Sequence, residues 1–305
     1  MRLGDSAADR ITDGLTHTNL QIRYICATAL GVLKADSARE ALEQSLRGDD
    51  QAVVRSQAAV ALGQINDRES LPALHDALTT DPSKDVRHQC ELSIDQIEKG
   101  LGATAELLAA YRGLDPERFE TIRVGEAAPQ FTLIDTEGKP HNPVGQRGDG
   151  WVVLIWVFAD WCPVCHGEFR ELIEMRDEFH ESSVSVYTIE AHDLYRARVM
   201  VGKELDPEYW FAKESFQEAY TQKIWWPHLV DRAGAVGATY GVDPMAFAVH
   251  AEYINRPSTI IIDPTGTVRW AYYGTFWGDR PSIGQTLNMI RDNDFTFVHP
   301  KRLTR

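Results

Sequence analysis

Cys162 and Cys165 are the residues whose type and spacing most directly imply chemistry. They stand in the run Trp151-Val-Val-Leu-Ile-Trp-Val-Phe-Ala-Asp-Trp-Cys-Pro-Val-Cys-His166. The apolar stretch 152–158 predicts a buried strand. Residues 167–179 then carry Phe169, Leu172, Ile173, Met175 and Phe179 at helical spacing. Strand, Cys-x-x-Cys and helix in succession place two sulfurs at a helix N-terminus, where orphan N–H groups and the helix dipole favour a thiolate. The thiolate is the attacking species, so this is a redox site.

Two other chemistries fit the same residues less well. Cys162-Pro-Val-Cys165-His166 satisfies the Cys-x-x-Cys-His rule for haem attachment, but it follows a buried strand and the start of the chain shows no apolar leader. A zinc site from Cys162, Cys165 and His166 or His192 lacks a second Cys-x-x-Cys. No metal and no cofactor is expected.

A second motif lies downstream, Asn255-Arg-Pro257-Ser-Thr-Ile-Ile-Ile-Asp263-Pro-Thr-Gly266. With Trp161-Cys-Pro-Val-Cys165 it makes residues 122–290 resemble the thioredoxin superfamily. The resemblance implies a central mixed sheet flanked by helices and a cis peptide at Pro257 opening a strand that faces the cysteines. It also implies that Cys162 attacks first and Cys165 resolves. Trp161 would shield the sulfurs, Pro163 shape the helix start, and Arg256 and Pro257 hold an extended substrate. The lead-in Val124-Gly-Glu-Ala-Ala-Pro129 resembles the redoxin and peroxiredoxin branch. Cys162-Pro-Val-Cys165-His-Gly-Glu168 is similar to the peroxiredoxin Thr-x-x-Cys-x-x-Glu, an alignment that would make Cys165 the peroxidatic sulfur. Phe158 replaces the proline that the family places four residues before its threonine. Ile189-Glu190-Ala191-His192 and Pro227-His-Leu-Val-Asp231 resemble segments of the iodothyronine deiodinases. Glu190 and His192, at the C-terminal end of a strand predicted over 183–189, are candidates for moving protons to and from sulfur.

The first hundred residues are a different object. Arg23, Arg55 and Arg87 recur at an interval of 32, as do Ile22, Val54 and Val86, and Cys26, Ala58 and Cys90. This self-similarity predicts stacked helix pairs, short helices over 7–16, 37–47 and 70–79 and longer ones over 20–34, 52–65 and 86–99. The pattern resembles short HEAT-like repeats. The arginines are expected to tie neighbouring repeats together, and Cys26 and Cys90 to be small buried apolar groups.

Net charge is −14, of which the first hundred residues carry −5. Neither half is basic, which argues against nucleic acid and anionic membranes. Few cysteines and no long apolar stretch point to a cytoplasmic, reducing environment. The expected organisation is an all-α HEAT-like domain over 1–100, a linker or capping helix over 101–121, and a thioredoxin-like α/β domain over 122–305. The expected function is a thiol–disulfide oxidoreductase with a protein disulfide substrate, a thiol electron donor and a protein partner on the repeats. A peroxide-reducing antioxidant enzyme, a deiodinase-like reductive dehalogenase and a HEAT-based binding scaffold are the alternatives. The aromatic-rich segment 209–226 is expected either to wall a substrate site or to pack an enlarged domain.

Overall fold

The structure is a computed structural model that describes residues 3–100, 122–160, 162–204, 223–242, 248–249, 252–253, 255–276 and 278–297. The chain divides into two compact units. The expected linker and capping helix over 101–121 lie outside the described residues.

The first unit contains α1 (Leu3–Asp13), α2 (Leu20–Leu33), α3 (Arg39–Gly48), α4 (Ala52–Ile65), α5 (Leu71–Thr80) and α6 (Lys84–Lys99). These are the three short–long pairs that the 32-residue interval predicts. Asn19 and Ser83 cap α2 and α6 through their side chains, and Lys34 and Asn66 end α2 and α4 in the left-handed conformation. The long helices stack closely because glycine occupies the crossing points. A Cβ on Gly31 would fall 2.8 Å from the Ala61 Cα, and one on Gly63 2.7 Å from the Ser93 Oγ. The repeated arginines tie one repeat to the next. Arg23 Nε donates to Asp49 Oδ2 at 2.6 Å, and 32 residues on Arg55 Nε donates to Asp81 Oδ2 at 2.7 Å. Cys90 is buried, which pushes its thiol up to about 12. Cys26, at the equivalent position in the first repeat, is only partly buried, against expectation.

The second unit is a seven-stranded mixed sheet. Its strands are β1 (Leu133–Asp135), β2 (Pro140–His141), β3 (Trp151–Trp156), β4 (Val184–Glu190), β5 (His228–Val230), β8 (Ser258–Ile262) and β9 (Val268–Tyr273), in the order β2-β1-β5-β4-β3-β8-β9. Two short strands, β6 (Ala248–Val249) and β7 (Glu252–Tyr253), form a separate ribbon. Among the described residues this unit also has helices α7 (Pro163–Glu174), α8 (Arg176–Glu181), α9 (Leu194–Met200), α10 (Ala235–Thr239) and α11 (Ile283–Asp292). β3 is central, parallel to β4 and antiparallel to β8. Val153 and Ile155 enter one apolar core with Phe169, Leu172 and Leu287. Val152, Leu154 and Trp156 enter the other with Ile189, Leu229 and Tyr240. Burial on both faces explains why this strand reads as a continuous apolar run.

The helix after the cysteines starts at Pro163, which is preorganised for the first helical position. One local expectation changes. Pro257 does stand before β8, but its peptide bond is trans. The Gly274 N–H donates to the Pro257 carbonyl at 2.7 Å, so the β8–β9 ladder runs one residue past β8 and the chain enters it extended. Trp225 and Trp226 pack inward, their indoles donating to the Leu172 carbonyl and Thr188 Oγ1, which is the packing role. Residues 209–220 of the aromatic segment lie outside the described residues.

Candidate active site

The sheet delivers β3 and β4 side by side, with the Val157 N–H donating to the Ile189 carbonyl at their C-terminal ends. The chain leaves β3 through Phe158, Ala159 and Asp160 and turns into α7. Cys162 is the N-cap residue, with extended φ and ψ of −78° and 118°, and Pro163 follows at the start of the helix. Cys165 lies in the first turn. Both thiols are buried and neither is in a disulfide.

The surroundings of the two sulfurs differ. Cys165 Sγ accepts the Phe158 N–H at 3.3 Å and an N–H from Arg280 Nη2 at 3.4 Å. Burial pushes its thiol up. The hydrogen bond from the Cys162 thiol, the Arg280 charge and the N–H groups of Ala159 and Phe158 outweigh burial and hold it well below the ordinary range. Cys162 moves the other way, because its proton is engaged by Cys165 and it too is buried. These surroundings favour the charged form at Cys165 over Cys162, which is the sulfur the peroxiredoxin-like alignment puts first, whereas the thioredoxin-like alignment puts Cys162 first.

Arg280 is shared. Its Nη1 donates to Glu168 Oε2 at 2.7 Å, one turn further along α7. Burial, with the nearby thiolate, pushes the Glu168 carboxyl up to about 8, opposed by the guanidinium. One buried cation thus faces a thiolate and a carboxyl that resists ionising beside it. The loop carrying Arg280 is pinned by its neighbour Asp279, which accepts from Tyr272 Oη at 2.6 Å and from the Thr275 N–H at 2.8 Å.

A second polar group starts at the end of β4. Glu190 Oε1 accepts from His192 Nδ1 at 2.6 Å and Oε2 from His228 Nε2 at 3.0 Å. Trp226 Nε1 can only donate, so Thr188 Oγ1 accepts from it at 2.9 Å, and the same hydroxyl is hydrogen-bonded to His228 Nδ1 at 2.8 Å. Burial pushes Glu190 up, but the two imidazoles reverse this and hold its carboxyl at about 2. The backbone carbonyl of Asp160 accepts from His166 Nε2 at 2.6 Å, and its carboxylate is clamped by Arg196 through two bonds of 2.7 Å.

Residues 124–271 match the model of the AhpC/TSA family, and residues 8–95 match that of HEAT repeats. The second unit carries an AhpC/TSA-family redoxin domain. The first consists of HEAT repeats. The thiol-disulfide oxidoreductase ResA of Geobacillus thermodenitrificans is 27% identical over 56% of this chain and 79% of its own length. Alkyl hydroperoxide reductase E of Mycobacterium bovis is 29% identical over 49% of this chain and 84% of its own. Among solved structures, peroxidoxin BcpB of Mycobacterium tuberculosis is 21% identical and superposes with a TM-score of 0.43 over 56% of this chain and 97% of its own. The AhpC/TSA domain is an oxidoreductase domain. No helix among the described residues is long and apolar enough to cross a membrane.

Within the AhpC/TSA domain the structure brings Cys162, Pro163 and Cys165 together at the start of α7, and joins Glu190 and His192 to each other. Trp161 lies outside the described residues. Arg256 donates to the Gly274 carbonyl at 2.9 Å and lies over the Tyr273 ring, so the guanidinium beside the sulfur is Arg280 instead. Asp160, Arg196 and Arg280 are not among the expected site residues, and His228 entered only as part of the segment Pro227-His-Leu-Val-Asp231. Asp160 is adjacent to the cysteine motif; no local pattern marks Arg196 or Arg280. Ligand atoms of Asp160, Glu190 and His192 lie within 4.8 Å of one another. They do not fit a metal ion, because Arg196 holds both oxygens of Asp160 and two imidazoles hold Glu190.

Proposed function

We propose that the AhpC/TSA domain reduces peroxides through the Cys162–Cys165 dithiol, with Cys165 as the attacking thiolate. The observation that carries this is the Arg280 guanidinium on the sulfur of Cys165. A buried sulfur with a buried cation suits a substrate of a few atoms better than a folded protein disulfide. The Cys165 thiolate attacks one peroxide oxygen, the O–O bond breaks, and the other oxygen takes a proton and leaves as alcohol or water. Cys165 is then a sulfenic acid. The Cys162 thiol, already hydrogen-bonded to it, attacks that sulfur, forms the disulfide and releases water. An external dithiol returns the pair to the reduced state, and the HEAT repeats supply a surface for a protein partner.

A second reading keeps the expected order, in which Cys162 exchanges with an external disulfide. It is supported by the N-cap position of Cys162 and by the likeness to ResA. Both readings end in the same Cys162–Cys165 disulfide, in a reducing, cytoplasmic setting. Glu190 and His192 would manage protons at the edge of the site in either.

Single-turnover reaction of the reduced chain with hydrogen peroxide separates them. Peroxide reduction predicts that Cys165→Ser abolishes the fast phase. Cys162→Ser should keep one rapid turnover and accumulate a sulfenic acid that dimedone traps on Cys165. A fast phase that survives Cys165→Ser and disappears in Cys162→Ser would replace this reading with the exchange order.

A further inference from the structure

The long helices of the first unit present equivalent faces at an interval of 32 residues, and one is uncovered. On α4, Gln57, Ala61 and Gln64 face α2; this is the side that a Cβ on Gly31 would strike at Ala61 and Gln64. On α6 the same face carries Gln89, Ser93 and Gln96, turned to α4 at Gly63. One repeat earlier the equivalents on α2 are Ile25, Ala29 and Val32. Two glutamines in each inner repeat become Ile and Val in the outer one. With Ile22 and Leu33 beside them, these side chains are 38% (Ile22), 61% (Ile25), 63% (Val32) and 57% (Leu33) exposed. A contiguous apolar face of α2 is therefore open to solvent.

We propose that this face of α2 joins two copies of the chain across a two-fold axis. The stripe Ile22, Ile25, Ala29, Val32 has the 3-4-3 spacing of a helix-pairing seam. Set antiparallel about its midpoint, it is self-complementary. Ile25 of each copy lies opposite Ala29 of the other, and Ile22 opposite Val32, so every contact sets a bulky group against a smaller one. A two-fold pair uses the same face on both copies and therefore closes on itself. The four exposed side chains offer roughly 400 Å² of apolar surface per copy, as large as the biggest patch on a typical monomer. Two copies then bury about half of a standard ~1,600 Å² interface before flanking residues are counted. An interface below the standard size belongs to the weak, reversible class.

The test is sedimentation velocity of the full-length chain, kept reduced, from about 5 to 500 µM, a span chosen to bracket an interface of this size. The expected result is a concentration-dependent shift to twice the monomer mass that stops there. Ile25→Gln with Val32→Gln installs the residues that the inner repeats carry at these positions. It should weaken the association at least tenfold while leaving helical circular dichroism and redox turnover unchanged. A wild-type chain that stays monomeric throughout would overturn the proposal. So would a double variant that associates equally well, or assembly that continues past two copies.

Discussion

Removing the charge of Arg280 should switch off Cys165 without emptying the site. Arg280 Nη2 lies 3.4 Å from the sulfur and Nη1 2.7 Å from Glu168. At that sulfur distance a unit charge pair is worth about 5 kcal/mol at an effective dielectric of ~20. Halving this for relaxation and entering water leaves about 2.5 kcal/mol, or close to 100-fold in the ratio of thiolate to thiol where the group titrates. The reactivity of each remaining thiolate rises as its basicity rises, with a Brønsted slope of about 0.5, so the rate falls by only about tenfold while its pH profile moves up. Glu168 does not replace the lost cation, because burial already pushes its carboxyl up to about 8 and it protonates instead. The assay is the iodoacetamide alkylation rate against pH, with mass spectrometry reading each cysteine separately. Arg280→Gln should show the slowed, upshifted profile at Cys165, and Arg280→Lys should fall between it and the wild type. An unchanged profile at Cys165 in Arg280→Gln, or faster alkylation of Cys162 in the wild type, would refute the assignment of the thiolate to Cys165.

Two further outcomes follow from the packing. Glu190 is held at about 2 against an ordinary 4.5, so its contribution to stability is fully present above pH 4.5 and is lost as pH falls towards 2. The contribution is about 3 kcal/mol, and urea unfolding of Glu190→Gln should show a lower plateau near neutrality with a flattened acid limb; a loss of similar size at pH 3 and pH 6 would show that the effect is packing rather than charge. Gly63→Ala places a Cβ 2.7 Å from the Ser93 Oγ, whereas one on Gly48 meets nothing within 4 Å. Thermal melts should therefore show Gly63→Ala destabilising the repeats by about 1–3 kcal/mol and Gly48→Ala having little effect, and equal melting of the two would remove the close-approach argument.

The parts of this chain that were legible in its sequence are those in which neighbours in space are also neighbours in the chain or repeat at a fixed interval. Arg23 reaches Asp49 and Arg55 reaches Asp81 across the same 26 residues, so the periodicity that reveals the repeats also reveals the bond that joins them. The strand, Cys-x-x-Cys and helix are contiguous, and their order is enough to place two sulfurs at a helix tip. Choosing between the sulfurs is a different problem. A local argument from the helix dipole and the N-cap favours Cys162. The decisive cation comes from Arg280, 115 residues beyond Cys165, in a loop positioned by β9, whose place beside β8 and β3 no short window contains.

The same distinction separates the two polar groups of the site. Glu190 and His192 are two residues apart and were visible as a pair. What holds Glu190 ionised is also His228, 38 residues later on β5, where it lies beside β4 because the sheet is parallel there. Asp160, whose ligand atom lies within 4.8 Å of those of Glu190 and His192, is itself held by Arg196 on α9, and its carbonyl receives His166. The polar groups around the cysteine loop are thus anchored on different elements: Glu168 on α7, Arg196 on α9, His228 on β5 and Arg280 before α11. A site built this way keeps its electrostatics only while the sheet is intact. Mutations that loosen β8 or β9 should therefore raise the Cys165 thiol by displacing Arg280 even when both cysteines and α7 are untouched.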